Sequence, residues 1–124
     1  MRSGPDKSMV ACVLERAGYR CEACGKLLGE TRGVDYSIHH RRPRGMGGTH
    51  WHGANLAPNL LAVCGSGTTG CHGWIETHRT EALAAGWLVS RYQDPSETPV
   101  QIGDKCLLLT NQATYAEVTG AAAS

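Results

Sequence analysis

A small α+β domain stapled through its cysteines is the fold this sequence predicts, on three observations. The chain has 124 residues, enough for one core that buries a limited share of its surface, so packing alone leaves little margin. Six cysteines and six histidines accompany a complete lack of phenylalanine, and most of them fall between Cys21 and His78. Apolar residues recur at helical spacing near the N-terminus and then in short alternating or continuous runs, the mixture expected of an α+β domain.

Taken in order, residues 1–7 read as a frayed terminus. Met9, Val10, Val13, Leu14 and Ala17 recur on one helical face, with Ser8 placed to cap that helix and Gly18 to end it. Cys21-Glu-Ala-Cys24-Gly25 reads as a tight knuckle, the glycine supplying an unusual backbone angle. Val34, Tyr36 and Ile38 alternate with polar positions and predict a strand delivering His39 and His40 at its end. Residues 41–58 show no apolar period and read as a long exposed loop, which in a compact domain implies function.

Leu60 to Val63 is a second strand, Cys64 to Cys71 a glycine-rich loop, and His72 to Ala85 one helix closed by Gly86. Trp87, Val89 and Arg91 suggest a strand. Val100 and Ile102, then Gly103-Asp104, then Cys106 and leucines 107 to 109 predict a hairpin with a two-residue turn. Residues 119–124 read as disordered. The organisation expected is one domain over 8–92, with a hairpin extension over 93–118 packed on it.

Composition narrows the function classes. The N-terminal MRSGPDKSMV has no apolar h-region, so a cytoplasmic protein with reduced thiols is expected. No apolar run approaches membrane-spanning length. Net charge is only +1, yet between Arg16 and Arg44 seven basic residues face three acidic ones, a local excess able to hold phosphates.

Cys21, Cys24, Cys64 and Cys71 can supply four thiolates to a structural zinc, whose tetrahedral shell has no open position. The two pairs would tie the first helix to the start of the second. Cys12, on the helix's apolar face, and Cys106, in a strand, read as small core residues. Nested between the cysteine pairs are His39-His40, Asn59 and His72. At a strand end one imidazole can ligate an ion while its neighbour reaches a nearby water, a division of labour suited to phosphodiester hydrolysis.

This ordered set, His39-His40-Arg-Arg-Pro43, then Asn59-Leu-Leu-Ala-Val-Cys64, then Cys71-His72, resembles the HNH endonuclease family in its zinc-stapled form, over roughly residues 21–79. The resemblance implies a ββα-metal (His-Me finger) fold, with a hairpin and a helix around one divalent ion. By position, His39 would be the first metal ligand, His40 the base that activates water and His72 the second ligand. Asn59 would brace the catalytic loop or orient the base. Some relatives, such as the nuclease colicins, have a histidine ligand one helical turn further on; Glu76 stands there in this chain, with His78 ranked below it. A carboxylate leans the ion toward Mg²⁺ or Mn²⁺, with Ni²⁺ or Zn²⁺ as alternatives.

The resemblance further implies cleavage of DNA that leaves a 5′ phosphate, with Arg41, Arg42, Arg44 and Arg79 clamping the backbone without reading sequence. Similarity to short phage-encoded members suggests genome processing or packaging in the host cytoplasm, with terminase or packaging proteins as partners. The competing expectations are a non-catalytic zinc-stapled nucleic-acid-binding module and a zinc-knuckle domain that binds another protein. His50 and His52 read as solvated or phosphate-touching. Trp51, Trp74 and Trp87 read as packing residues, with base stacking by Trp51 as the alternative.

Overall fold

The computed structural model describes residues 4–43 and 52–118. Expectations for Arg44, His50, Trp51, the His52 side chain and both chain ends beyond 4 and 118 lie outside the described residues. Among the described residues are three helices, α1 (Lys7–Ala17), α2 (Gly70–Thr77) and α3 (Arg79–Ala85). Two small antiparallel sheets accompany them: β1 (Tyr36–His40) with β2 (Leu60–Cys64), and β3 (Val100–Ile102), β4 (Lys105–Leu109) and β5 (Tyr115–Glu117). No helix here is long and apolar enough to cross a membrane.

The β1–β2 ribbon is the centre of the molecule, with His39 opposite Leu61 and His40 opposite Leu60. Successive side chains leave a strand on opposite faces. Tyr36, Ile38, Leu60 and Ala62 accordingly pack with Val10 and Val13 of α1. From the other face, Leu61 and Val63 join Ile75 of α2, Ala82 of α3 and Val100 and Leu109 of the second sheet. Burial on both faces is why Leu60 to Val63 is continuously apolar. Glu22 ties the layers together: its carboxylate accepts from Arg16, from the Ala62 N–H and from the Tyr115 hydroxyl at 2.6 Å.

Several local expectations need correcting. Helix α1 is capped by Asp6 rather than Ser8, its carboxylate accepting the Met9 N–H at 2.8 Å; a negative group suits the exposed N–H end. The segment expected as one helix over 72–85 breaks at His78, which leaves the helical region at φ −127°, ψ 58°. There the Thr77 hydroxyl donates to Gly73 O and the His78 ring stacks on Trp74 at 4.3 Å, so side chains satisfy the end of α2.

Residues 87–91 form no strand, because their hydrogen bonds go to scattered partners: the Val89 N–H to Arg41 O and the Trp87 indole N–H to Gln101 O. Strand β5 was not foreseen; three residues are too few to show a period. Cys12 and Cys106 are exposed, since Val10 and Val13 form the buried side of α1 and Leu109 that of β4. The loop after β1 is also less exposed than expected, as Ala57, Pro58 and Asn59 form a buried 3-10 turn. The Gly103-Asp104 turn stands as read, with Ile102 paired to Lys105.

Arg41 is the largest correction. Expected to grip phosphate, it is fully buried, and its guanidinium donates to the carbonyls of Gly86, Pro58, Pro95 and Thr98 at 2.8–2.9 Å. Burial lowers its pKa to about 10, which leaves it charged at neutral pH. It gathers three segments beneath the strand end and is too buried to reach DNA. Arg41→Met is expected to cost about 3–5 kcal/mol, since several buried carbonyls lose their partner. A urea midpoint that implies a loss below about 1 kcal/mol would contradict this role.

Candidate metal centre and active site

The four cysteines come together as a cluster that could bind a metal such as zinc. Sulfurs of Cys21, Cys24, Cys64 and Cys71 lie within 4.8 Å of one another. Cys24 Sγ and Cys64 Sγ are 3.9 Å apart, close to the ~3.8 Å edge of a tetrahedron built on zinc–sulfur bonds of about 2.3 Å. Backbone N–H groups of Cys24 and Cys71 point at Cys21 Sγ and Cys64 Sγ, both at 3.4 Å, which favours charge on sulfur. At Cys64 burial raises the pKa, but hydrogen bonds from Cys71, Cys21 and Cys24 together outweigh it and the net shift is downward, whereas at Cys21 burial prevails and the shift is upward.

Local sequence makes the wide second spacing workable. Gly65 and Gly70 both have positive φ, and a Cβ on either would collide with backbone across the loop, Thr69 O for Gly65 and Cys64 O for Gly70. Only glycine lets the chain fold back so that Cys71 returns to Cys64.

A second cluster sits where β1 ends against α2. His39, His72 and Glu76 each offer a ligand atom within 4.8 Å of the others. The His39 and His72 ring centroids are 5.1 Å apart. His39 is buried, and its Nε2 donates to Trp87 O at 2.8 Å, which orients the ring and leaves Nδ1 with the lone pair. Burial pushes the His39 pKa down to about 3, with His72 adding to the effect. Burial also lowers His72. Both rings are therefore neutral at pH 7, the form that ligates metal.

The residues present fit an ion. His72 Nε2 faces the Glu76 carboxylate at 3.8 Å, too long for a direct hydrogen bond, and His39, His72 and Glu76 each bring one ligand atom to the same place. Two imidazoles and a carboxylate are a set that can hold a divalent cation with positions left open. His78, the alternative ligand, is turned away onto Trp74 and lies outside this cluster. Six residues from His72, it lies off the helical face that Glu76 shares with His72, and α2 ends before it at Thr77.

His40 reaches the same cleft, about 370 Å³ in volume and lined also by His39, Pro43, His72, Glu76 and Arg79. Its Nε2 lies 2.8 Å from Asn55 Oδ1. An amide oxygen only accepts, so Nε2 carries the proton and Nδ1 of the neutral ring the lone pair. Asn59 does not touch His40. It is buried, with Oδ1 accepting the Arg42 N–H at 2.7 Å and Nδ2 donating to the carbonyls of Arg42 and Ala54 at 3.0 Å.

Of the two roles open to Asn59, the structure places it as the brace of the segment after β1, while Asn55 holds the ring. Asn55 precedes Asn59 in the same segment, and no local spacing distinguishes the role of one from that of the other. The Trp87 carbonyl carried no sequence signal. Arg79 is exposed and within 3.3 Å of Glu76, and Arg42 is half-buried at the loop. The chain matches no protein-family model, curated protein or solved structure with which it was compared.

Proposed function

We propose that this protein is a metal-dependent DNA endonuclease of the HNH, or ββα-metal, type. The observation that carries the reading is the convergence of His39, His72 and Glu76 at one point of a cleft that His40 also lines. The hairpin β1–β2 followed by α2, with one imidazole from the strand end and one from the helix start, agrees with the order that the resemblance implies. The four-cysteine cluster would hold a structural zinc joining the turn after α1 and the end of β2 to the start of α2.

A divalent ion at His39, His72 and Glu76 would neutralise the phosphate and the oxygen that leaves it. The chain's own groups do the rest. His40 Nδ1 takes a proton from a water as its oxygen bonds to phosphorus, while Asn55 keeps the ring in that tautomer and orientation. The bond from phosphorus to the 3′ oxygen breaks, and that oxygen is protonated from solvent to leave a 3′ hydroxyl and a 5′ phosphate. Arg79 and Arg42, two of the four arginines that the sequence offered for this, would contact flanking phosphates.

Supercoiled plasmid incubated with Mg²⁺, Mn²⁺, Ni²⁺ or Zn²⁺ is expected to be nicked or linearised, with no product in chelator. The ends should be resealed by ligase without prior phosphorylation. DNA binding without cleavage under every ion would overturn the reading in favour of a binding module.

A further inference from the structure

The 3-10 turn that presents Asn55 to His40 also lines, through Gly53, a second cavity of about 450 Å³. Arg42, Asn59, Arg91, Tyr92 and Asp94 contribute to its wall. Its volume is in the range of pockets that take small organic groups, about 300–1,000 Å³. No step of the proposed chemistry uses it.

Its aromatic wall is unusual in being out in solvent. Tyr92 is 87 % exposed, so the ring serves no core, and the Arg91 guanidinium lies 5.4 Å from its centroid. Leu56 is a further exposed apolar side chain beside it. The wall carries two guanidinium groups, Arg42 and Arg91, against the one carboxylate of Asp94, whose Oδ1 accepts from the Ser96 N–H at 2.9 Å and its hydroxyl at 2.8 Å. An exposed ring, cationic neighbours and a cavity are together the elements that hold a nucleotide by stacking and charge.

The cavity is joined to the active site by short covalent paths. Arg42 follows His40 by two residues, and Asn59 holds both backbone groups of Arg42. Resting on the nucleic-acid reading above, we infer that this cavity receives one unpaired nucleotide of the DNA, its base against Tyr92 and its phosphate against Arg91 and Arg42. Base faces inside a duplex are already stacked, so only an unpaired nucleotide can offer one.

The test is binding, measured without added divalent ion so that no cleavage intervenes. The probe is a 12-nucleotide single-stranded DNA labelled with fluorescein and carrying a single 2-aminopurine. Tyr92→Ala is expected to weaken binding about tenfold and to abolish the change in 2-aminopurine emission, while Tyr92→Phe retains both. Arg91→Gln should reduce the salt dependence of binding by about one charge. Tyr92 is exposed enough that folding is not at stake, and a thermal melt confirms it. Equal affinity of Tyr92→Ala and the unaltered protein, or no binding of the probe by either, overturns the inference. Failure of plasmid cleavage alongside a tenfold loss in Tyr92→Ala would leave it standing and remove only the nuclease reading.

Discussion

His40→Ala is expected to lower plasmid cleavage by at least about 10²–10⁴-fold, the usual contribution of a positioned general base. The size of the effect follows from the arrangement. His40 is half-buried at the end of β1 with its Nε2 held by Asn55, which fixes the ring at the wall of the cleft that His39, His72 and Glu76 also line. Alanine keeps the strand paired opposite Leu60 and removes no core side chain, so affinity for DNA and the melting temperature should change little. Asn55→Ala should give a smaller loss, because it frees the ring to turn without removing it. A His40→Ala protein that cleaves at the original rate would end the assignment of the base, whatever ion the neighbouring cluster binds.

Removal of zinc from the cysteine cluster should unfold the protein. Structural zinc contributes apparent free energies of about 10–16 kcal/mol in small domains at neutral pH, comparable to or above the total stability of a domain this size, about 5–15 kcal/mol. Cys21 and Cys64 are buried against Leu61, Val63 and Ile75, so the ion would sit beside the same core that seats α2. One zinc per chain is expected by metal analysis. Chelation, or Cys64→Ser, should abolish the cooperative melt and the far-ultraviolet helix signal. Protein that contains no zinc and melts unchanged after chelation would show that the thiols are only packed together.

These two clusters differ in how far they could be read from the residues. The cysteine set was legible because its members come as short-range pairs: a Cys-x-x-Cys turn and a glycine-rich return can each place two sulfurs together almost wherever they sit. Helix α1 and the paired runs of β1 and β2 were legible for a related reason, since periodicity records which side chains face a core. The end of α1 at Gly18 was equally local, whereas its start at Asp6 depended on which of two neighbouring caps the chain used.

Where a side chain goes when its partners are distant in sequence was not legible. Arg41 and Arg42 are adjacent arginines in one loop, and composition treats them alike. Only the folded chain brings carbonyls 17 to 57 residues away around one of them. The same holds for the roles of Asn55 and Asn59, whereas Glu76 over His78 was legible, because one helical turn separates Glu76 from His72.

By itself, then, the sequence determined which residue types could bind metal and move a proton, and the short elements that carry them. The tertiary structure alone decided which arginine became a buried strut and which asparagine holds the imidazole. The physical reason is that hydrogen bonds and burial are satisfied by neighbours in space, and a local pattern holds no information on a carbonyl contributed by a remote turn.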